Sequence, residues 1–500
     1  MDDSDEEDDA YDLANEYFLA KKASTVKKIK LCSLLFNEIN HEQKKRQPKT
    51  KRDRAGSWQT IESWSNQLFY RQFRMTREDF LITIERMKSI YPGPKKNGID
   101  NYLLALRKGH SSTPESGPIT IEIKLAITLR LLAGASYLDM IWYGVQIDSV
   151  IPIFIKMLPL LNDAYPDKEI YNFDPSNSNF EEECRMMAND WSCLMQDKKG
   201  DPHIFKGTLL AGDGCVIPQK RPTDLELAAV GLVASDFRNR KGCYANNMEA
   251  FCDAWARFRF VEIAWPGATN DITCHKQSAI YQWFLKGWIP ECYHWVLDEA
   301  YNSIGGNMHL TPFSRAQLLH AKSSETPEAI LKYEQMKCFN NYLSSQRITI
   351  ERAFGMLIRK WGILWSPLEH SLEVNCLIVK VCTKLHNVCI NTWMKKGAKK
   401  EQIHLIDRRY MQKRDAGAFL GWTVSDSLSE FDITENDVQH MLHNPNQTDI
   451  PAHRVMAQRK EEIMTDLYRR GFRYDVNEDN DFTLNRTMTS DSILNLPTID

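Results

Sequence analysis

The twelve cysteines are scattered from Cys32 to Cys389, with no CxxC pair and no cluster. This excludes a disulfide framework or a cysteine-ligated zinc ribbon as the organising device, and a reducing, intracellular compartment is expected. The nearest zinc-like spacing, Cys382/His386/Cys389, lies on one apolar helical pattern and reads as core. No stretch reaches the roughly eighteen apolar residues that a membrane span needs. The richest stretch, Leu125–Val145, is interrupted by Arg130 and Asp139. The first ten residues, MDDSDEEDDA, are the opposite of the basic start of a signal peptide. A soluble chain with no membrane partner is therefore expected. GxGxxG, the P-loop GxxxxGK[ST], HExxH and GxSxG are all missing, which sets aside dinucleotide binding, P-loop nucleotide hydrolysis, zinc proteolysis and an α/β-hydrolase nucleophile. Net charge is nearly absent as well, with 63 Lys+Arg against 66 Asp+Glu.

What is there instead is segregated charge on a chain rich enough to bury a large core: 43% of its 500 residues are hydrophobic and 10% aromatic. Residues 1–20 carry nine acids and no base, and residues 21–54 carry twelve bases against three acids. Within that second section, Lys44–Arg54 (KKRQPKTKRDR) holds seven bases in eleven residues. Such a run serves as a solvated linker, a nuclear-import signal or a phosphate-binding arm. Near-neutrality of the whole chain thus does not exclude a nucleic-acid partner. Residues 1–57 read as a charged flexible arm. The segment beyond residue 395, acidic and weakly periodic, reads as a peripheral or disordered tail over 396–500.

Residues 58–165 read as helical. FYRQFRMTREDFLITIERM places Phe80, Ile84 and Met87 on one face after a cap near Thr76. Ile121, Leu125, Leu129 and Leu132 form a second stripe that Gly134 can stop. A short helix over Tyr137–Tyr143 and a third, Ser149–Leu161, capped by Asp148 or Ser149, complete a unit like a helix-turn-helix. A reader of base edges needs Arg, Asn, Gln or Lys facing outward. Lys156 is the only charged side chain of Ser149–Leu161, so a packing unit is favoured over a sequence-specific DNA reader.

Between residues 200 and 300 the pattern changes to strands. GTLLAGDG (Gly207–Gly214) is an apolar run that closes on Asp213; CYANNMEAFCDA and FRFVEIAW (Phe258–Trp265) alternate as antiparallel neighbours; YHWVLDEAY carries Asp298 at its end. Asp271 opens a helix expected to run to about Phe284, and Glu351 sits on a later helix whose stripe is Ile350, Phe354, Leu357 and Trp361. This order is the one an RNase H-like α/β fold, a mixed sheet flanked by helices, uses to gather carboxylates around two metal ions. Oxygen-only ligands suit Mg²⁺ or Mn²⁺.

Seven blocks then carry a family resemblance: GDGCVIP (Gly212–Pro218), RNRKGCYANNMEAFCD (Arg238–Asp253), WPGATND (Trp265–Asp271), LDEAY (Leu297–Tyr301), LTPF (Leu310–Phe313), ERAFGMLIRKWGIL (Glu351–Leu364) and KLHNVCI (Lys384–Ile390). In order and spacing the chain resembles PIF/Harbinger-type DDE transposases and their domesticated nuclease relatives. It departs from that pattern at Cys215, where a hydroxyl residue is usual, and in the Leu-Asp-Glu-Ala-Tyr block. The resemblance implies a catalytic domain over 200–395 with Asp213, Asp298 and Glu351 catalytic, and Asp213, Asp271, Asp298 and Glu351 as divalent-metal ligands, Asp271 in a supporting role. It implies metal-dependent cleavage of double-stranded DNA with strand transfer, a nuclear location, a Myb-like DNA-binding partner and self-association. The alternative is a domesticated nuclear DNA- or chromatin-associated protein that no longer cuts. Arg238, Arg240, Lys241, Arg359 and Lys360 lie close to the motifs and read either as contacts to phosphates or as an ordinary solvated surface, with Arg352 placed to orient a carboxylate.

Overall fold

A computed structural model describes residues 54–90, 119–192, 205–304, 308–323, 326–403, 406 and 454–470. The acidic head and the Lys44–Arg54 run, except for Arg54 itself, lie outside the described residues. The first described helices are α1 (Arg54–Glu62), α2 (Asn66–Phe73), α3 (Arg77–Ile90), α4 (Ile121–Leu132) and α5 (Ile147–Ala164). Ser65 and Thr120 cap α2 and α4 by accepting from Leu68 and Ile123 N–H, and Thr76 Oγ1 accepts from Asp79 N–H at the head of α3. Gly134 takes φ +90° after α4, a conformation that suits glycine and ends the helix.

A 3₁₀ turn over Tyr137–Tyr143 leads into α5, with a bend of 97° between them. The third helix starts earlier than expected, at Ile147 behind Gln146, because Val150, Ile153 and Phe154 are already turned into the core. Its exposed positions are Ile147, Asp148, Pro152, Ile155, Pro159 and Asp163. Among the described residues no single helix is long and apolar enough to cross a membrane.

The sheet has five strands in the order β3-β2-β1-β4-β5: β1 Thr208–Pro218, β2 Ala245–Cys252, β3 Phe258–Pro266, β4 His294–Val296 and β5 His309–Leu310. β1 to β3 are antiparallel neighbours, whereas β4 runs parallel to β1 and β5 parallel to β4. This mixed α/β sheet, with helices on its faces and a helical region before it, is the architecture expected from the sequence. β1 is longer than its apolar run suggested: Asp213 lies mid-strand, paired with Ala250, and pairing continues to Pro218. β2 is buried at every position.

Around the sheet lie α6 (Phe180–Ser192), α7 (Asp271–Gln277), α8 (Ala279–Leu285), α9 (Arg315–Lys322), α10 (Pro327–Lys360) and α11 (Leu372–Lys395). The helix expected from Asp271 to Phe284 is two helices, because Ser278 takes extended backbone and caps α8 through Tyr281 N–H. Core residues of α2 to α5 join those of β1, β2, α10 and α11 in one hydrophobic cluster. Thr392 on α11 donates to Asp79 on α3 at 2.6 Å, and Lys384 reaches the Asn162 side chain at 2.7 Å. Within the tail, α12 (Arg454–Arg469) is not peripheral: Met464 and Leu467 pack with Phe313, Phe339 and Leu343.

Candidate active site

The sheet opens where the acids gather. β1 pairs with β4 only as far as Ala211 opposite Val296. Because the strands are parallel and side chains alternate along each, Asp213 and Asp298 each stand two residues beyond that last pair. Asp298 leads into a 3₁₀ turn, Glu299–Ser303. Asp271, at the head of α7 behind the Asn270 cap, comes from the other side of β1. Its carboxylate approaches Gly214 so closely that a Cβ there would overlap Oδ1, and Asn247 on β2 donates to the same oxygen at 3.2 Å. Glu351 enters from α10, which packs its Ile350, Ala353, Phe354 and Leu357 stripe into the core.

Arg347, one turn before Glu351 on α10, joins the acids. Its Nη1 lies 2.6 Å from Glu351 Oε1 and 3.5 Å from Asp213 Oδ2, and its Nε lies 3.9 Å from Asp298 Oδ1. Its side chain is 12% exposed, against 22% for Asp213, 24% for Glu351 and 45% for Asp298. Burial pushes Asp213 up to about 7, Arg347 opposes that shift, and Asp298, Asp271 and Glu351 reinforce it. Asp213 therefore feels all three other predicted acids. Sequence reasoning passed over Arg347, although its i,i+4 spacing to Glu351 was the available signal. Arg352, expected to orient a carboxylate, is half-buried, and the group whose charge it feels is Cys252.

Behind Asp271 lies a buried network that the sequence did not signal. His275 is one turn along α7 and fully buried; its Nδ1 meets Glu249 on β2 and its Nε2 meets His309 Nε2 on β5 at 2.9 Å. Burial raises Glu249 to about 8 and lowers His275 to about 3, so near neutral pH both groups are uncharged. With both groups uncharged, Glu249 is the group with a proton to share with His275 Nδ1, which leaves His275 Nε2 facing His309 Nε2. This chain ties α7 to the sheet while its first residue, Asp271, stays directed at Gly214.

The predicted phosphate-facing bases divide. Arg238, Arg240 and Lys241 are exposed on the turn before β2, shaped by Asn239 Oδ1 accepting from Lys241 and Cys243 N–H. The first residue of β2, Ala245, pairs with Pro218, so this turn lies at the end of β1 beyond Asp213. Arg359 is half-buried. Lys360 is a correction: it is 2% exposed, with Nζ 5.5 Å from the Tyr70 ring centroid, and packs within the core. Cys382, His386 and Cys389 are buried as expected of core, with His386 Nε2 at 2.9 Å from Ala256 O.

The four acids supply only oxygen donors, the chemistry that suits Mg²⁺ or Mn²⁺, and their mutual repulsion shows in the raised Asp213. On that ground the residues fit a divalent cation. Among the described residues no three acidic, histidine or cysteine groups converge as they stand; the guanidinium of Arg347 lies among the carboxylates instead. Residues 212–387 match the family model described as DDE superfamily endonuclease. That match, running from β1 into α11, supports the DDE endonuclease superfamily. Neither the curated proteins nor the solved structures give a match.

Proposed function

We propose that the chain is a divalent-metal-dependent DNA endonuclease of the PIF/Harbinger transposase type, acting in the nucleus. The observation that carries this reading is the placement of Asp213, Asp298 and Glu351, from three separate elements, around the one guanidinium of Arg347, with Asp271 adding to the negative field at Asp213. Structural ion pairs rarely need four acids against one base; phosphoryl-transfer sites do, because cations complete the balance. Asp213, Asp298 and Glu351 would hold the metal, with Asp271 in support. When bound, divalent ions supply Lewis-acid chemistry that activates a nucleophile and neutralises charge on the leaving oxygen of a phosphodiester. The protein's own part is to fix the carboxylates. β1 and β4 set two of them by strand register, the packed stripe of α10 sets Glu351, and the Glu249–His275–His309 chain steadies α7 beneath Asp271.

The exposed Arg238, Arg240 and Lys241 turn supports phosphate contact on double-stranded DNA without base readout. The outward face of α5, lacking Arg, Lys or Asn at its exposed positions, leaves sequence choice to another module, as the Myb-like partner of the resembled family would provide, and strand transfer and self-association belong to the same reading. The second reading, a non-cutting DNA- or chromatin-associated protein, is favoured by one observation, the ion pairing of Arg347 with three of the acids. Nicking of supercoiled duplex DNA by the purified full chain, with and without Mg²⁺ or Mn²⁺, separates the two. Cleavage that needs the metal and disappears in Glu351→Gln supports the nuclease; DNA binding without metal-dependent cleavage supports the rival.

A further inference from the structure

Arg347 stands one turn before the Glu351–Leu364 block, and it makes the closest ionic contacts of the site. We propose that Arg347 is a resident counter-cation: it holds Asp213, Asp298 and Glu351 together in the metal-free protein and must leave them when a divalent cation binds. This rests on the reading of those acids as metal ligands. Three observations carry it. A single guanidinium, 12% exposed, spans the three carboxylates from 2.6 to 3.9 Å. A guanidinium cannot shed its proton in a protein, so its charge is permanent. And the acids do not converge as ligands while it lies among them.

Mg²⁺ demands oxygen lone pairs at about 2.0–2.1 Å in near-octahedral geometry. Two of the candidate oxygens, Glu351 Oε1 and Asp213 Oδ2, already lie 2.6 and 3.5 Å from Arg347 Nη1. Ion and guanidinium therefore compete for the same oxygens and repel each other at close range. The side chain has somewhere to go, since Asp298 beside it is 45% exposed and the site borders solvent there. Arg347 is thus a positioning residue in the metal-free protein and a competitor at the moment of loading.

The test is Mn²⁺ binding to the full-length chain, measured by electron paramagnetic resonance and by the Mn²⁺-induced rise in melting temperature, for wild type and Arg347→Met. Removing a unit charge this close should tighten Mn²⁺ binding by about tenfold or more. Without metal the variant should melt below wild type, because the acids lose their counter-charge, and Mn²⁺ should raise its melting temperature further than it raises that of wild type. Equal or weaker Mn²⁺ binding by the variant, with wild type binding normally, overturns the competitor role and leaves the metal-site reading intact. Absence of Mn²⁺ binding in both proteins overturns both. Should Arg347→Met fail to fold even with Mn²⁺, Arg347→Lys decides: a shorter ammonium spans fewer carboxylates, so its Mn²⁺ binding should exceed that of wild type, and equal or weaker binding overturns the proposal.

Discussion

Two carboxyl groups of the site region keep their protons at pH values where unfolded carboxyls have lost them: Asp213 near 7 and Glu249 near 8. The folded state therefore binds more protons than the unfolded one, and stability falls as pH rises through this range. His275 works the other way, its neutral form being favoured down to about pH 3, but its window closes at the ordinary histidine value of 6.5. Between pH 6.5 and 8 the two acids act without that opposition. Melting of the metal-free chain should consequently drop by about 1–2 °C for each kcal/mol lost over this interval. Asp213→Asn should flatten the part of the slope near pH 7. Glu249→Gln keeps a donor for His275 while abolishing titration, so it should flatten the part near pH 8 and leave the protein as stable as wild type at pH 6.5. A melting temperature that is level or rising from pH 6.5 to 8 would contradict these protonation states. Of the residues involved, the four acids were legible because each sits in a recognisable block. The Arg347 contacts with Asp213 and Asp298, and the Glu249–His275–His309 chain, were not, because they meet across elements that only the fold brings together.

At the scale of elements, two features place the acids. The parallel register of β1 and β4 sets Asp213 beside Asp298, and the buried stripe of α10 sets Glu351. Gly214→Ala tests the first of these surroundings, since its Cβ would overlap Asp271 Oδ1. Asp271 should be pushed off the site, and metal-dependent cleavage should fall by about tenfold with little change in melting, as alanine is no worse than glycine in a strand. Loss of folding, or wild-type cleavage, would show that the close approach does not matter. Phe354→Ala acts on the second: Phe354 is 2% exposed, and its truncation should cost about 3–5 kcal/mol in denaturant unfolding. Alternation made β3 readable over almost its whole length, and the Gly134 stop and the Tyr137–Tyr143 turn were readable from glycine and spacing. Asp213 was placed at a strand end because its apolar run stops there, whereas pairing with β2 carries β1 on to Pro218. The long α10 was seen only in its second half. Its first turns, 327–335, hold no buried residue, and Met336, Cys338, Phe339 and Leu343 pack on Phe313, Met464 and Leu467, contacts distant in sequence, although Thr326 capping and Pro327 in the first turn mark its start.

At the scale of the whole molecule, the charged sections of the chain bear on partner and place. Lys44–Arg54 is proposed as a nuclear-import signal. Deleting it from a fluorescent fusion should leave the protein outside the nucleus, and an unchanged nuclear signal would refute the assignment. Duplex binding by the purified chain should show weak sequence preference and steep salt dependence. With about six phosphates neutralised, affinity should fall by roughly three decades between 50 and 200 mM salt. Strong preference for one site at constant salt would show that α5 reads bases after all.

The central claim, that Asp213, Asp298 and Glu351 work as one metal-holding unit, is tested most directly by Mg²⁺-dependent nicking of duplex DNA by the folded variants Asp213→Asn, Asp298→Asn and Glu351→Gln and their double mutants. Each substitution keeps shape and removes a negative charge from the ligand set. Each single variant should lose cleavage while retaining DNA binding, and the doubles should lose no more than the singles, because the first change already disables the site. Wild-type nicking by Glu351→Gln, or losses that add from single to double, would contradict it.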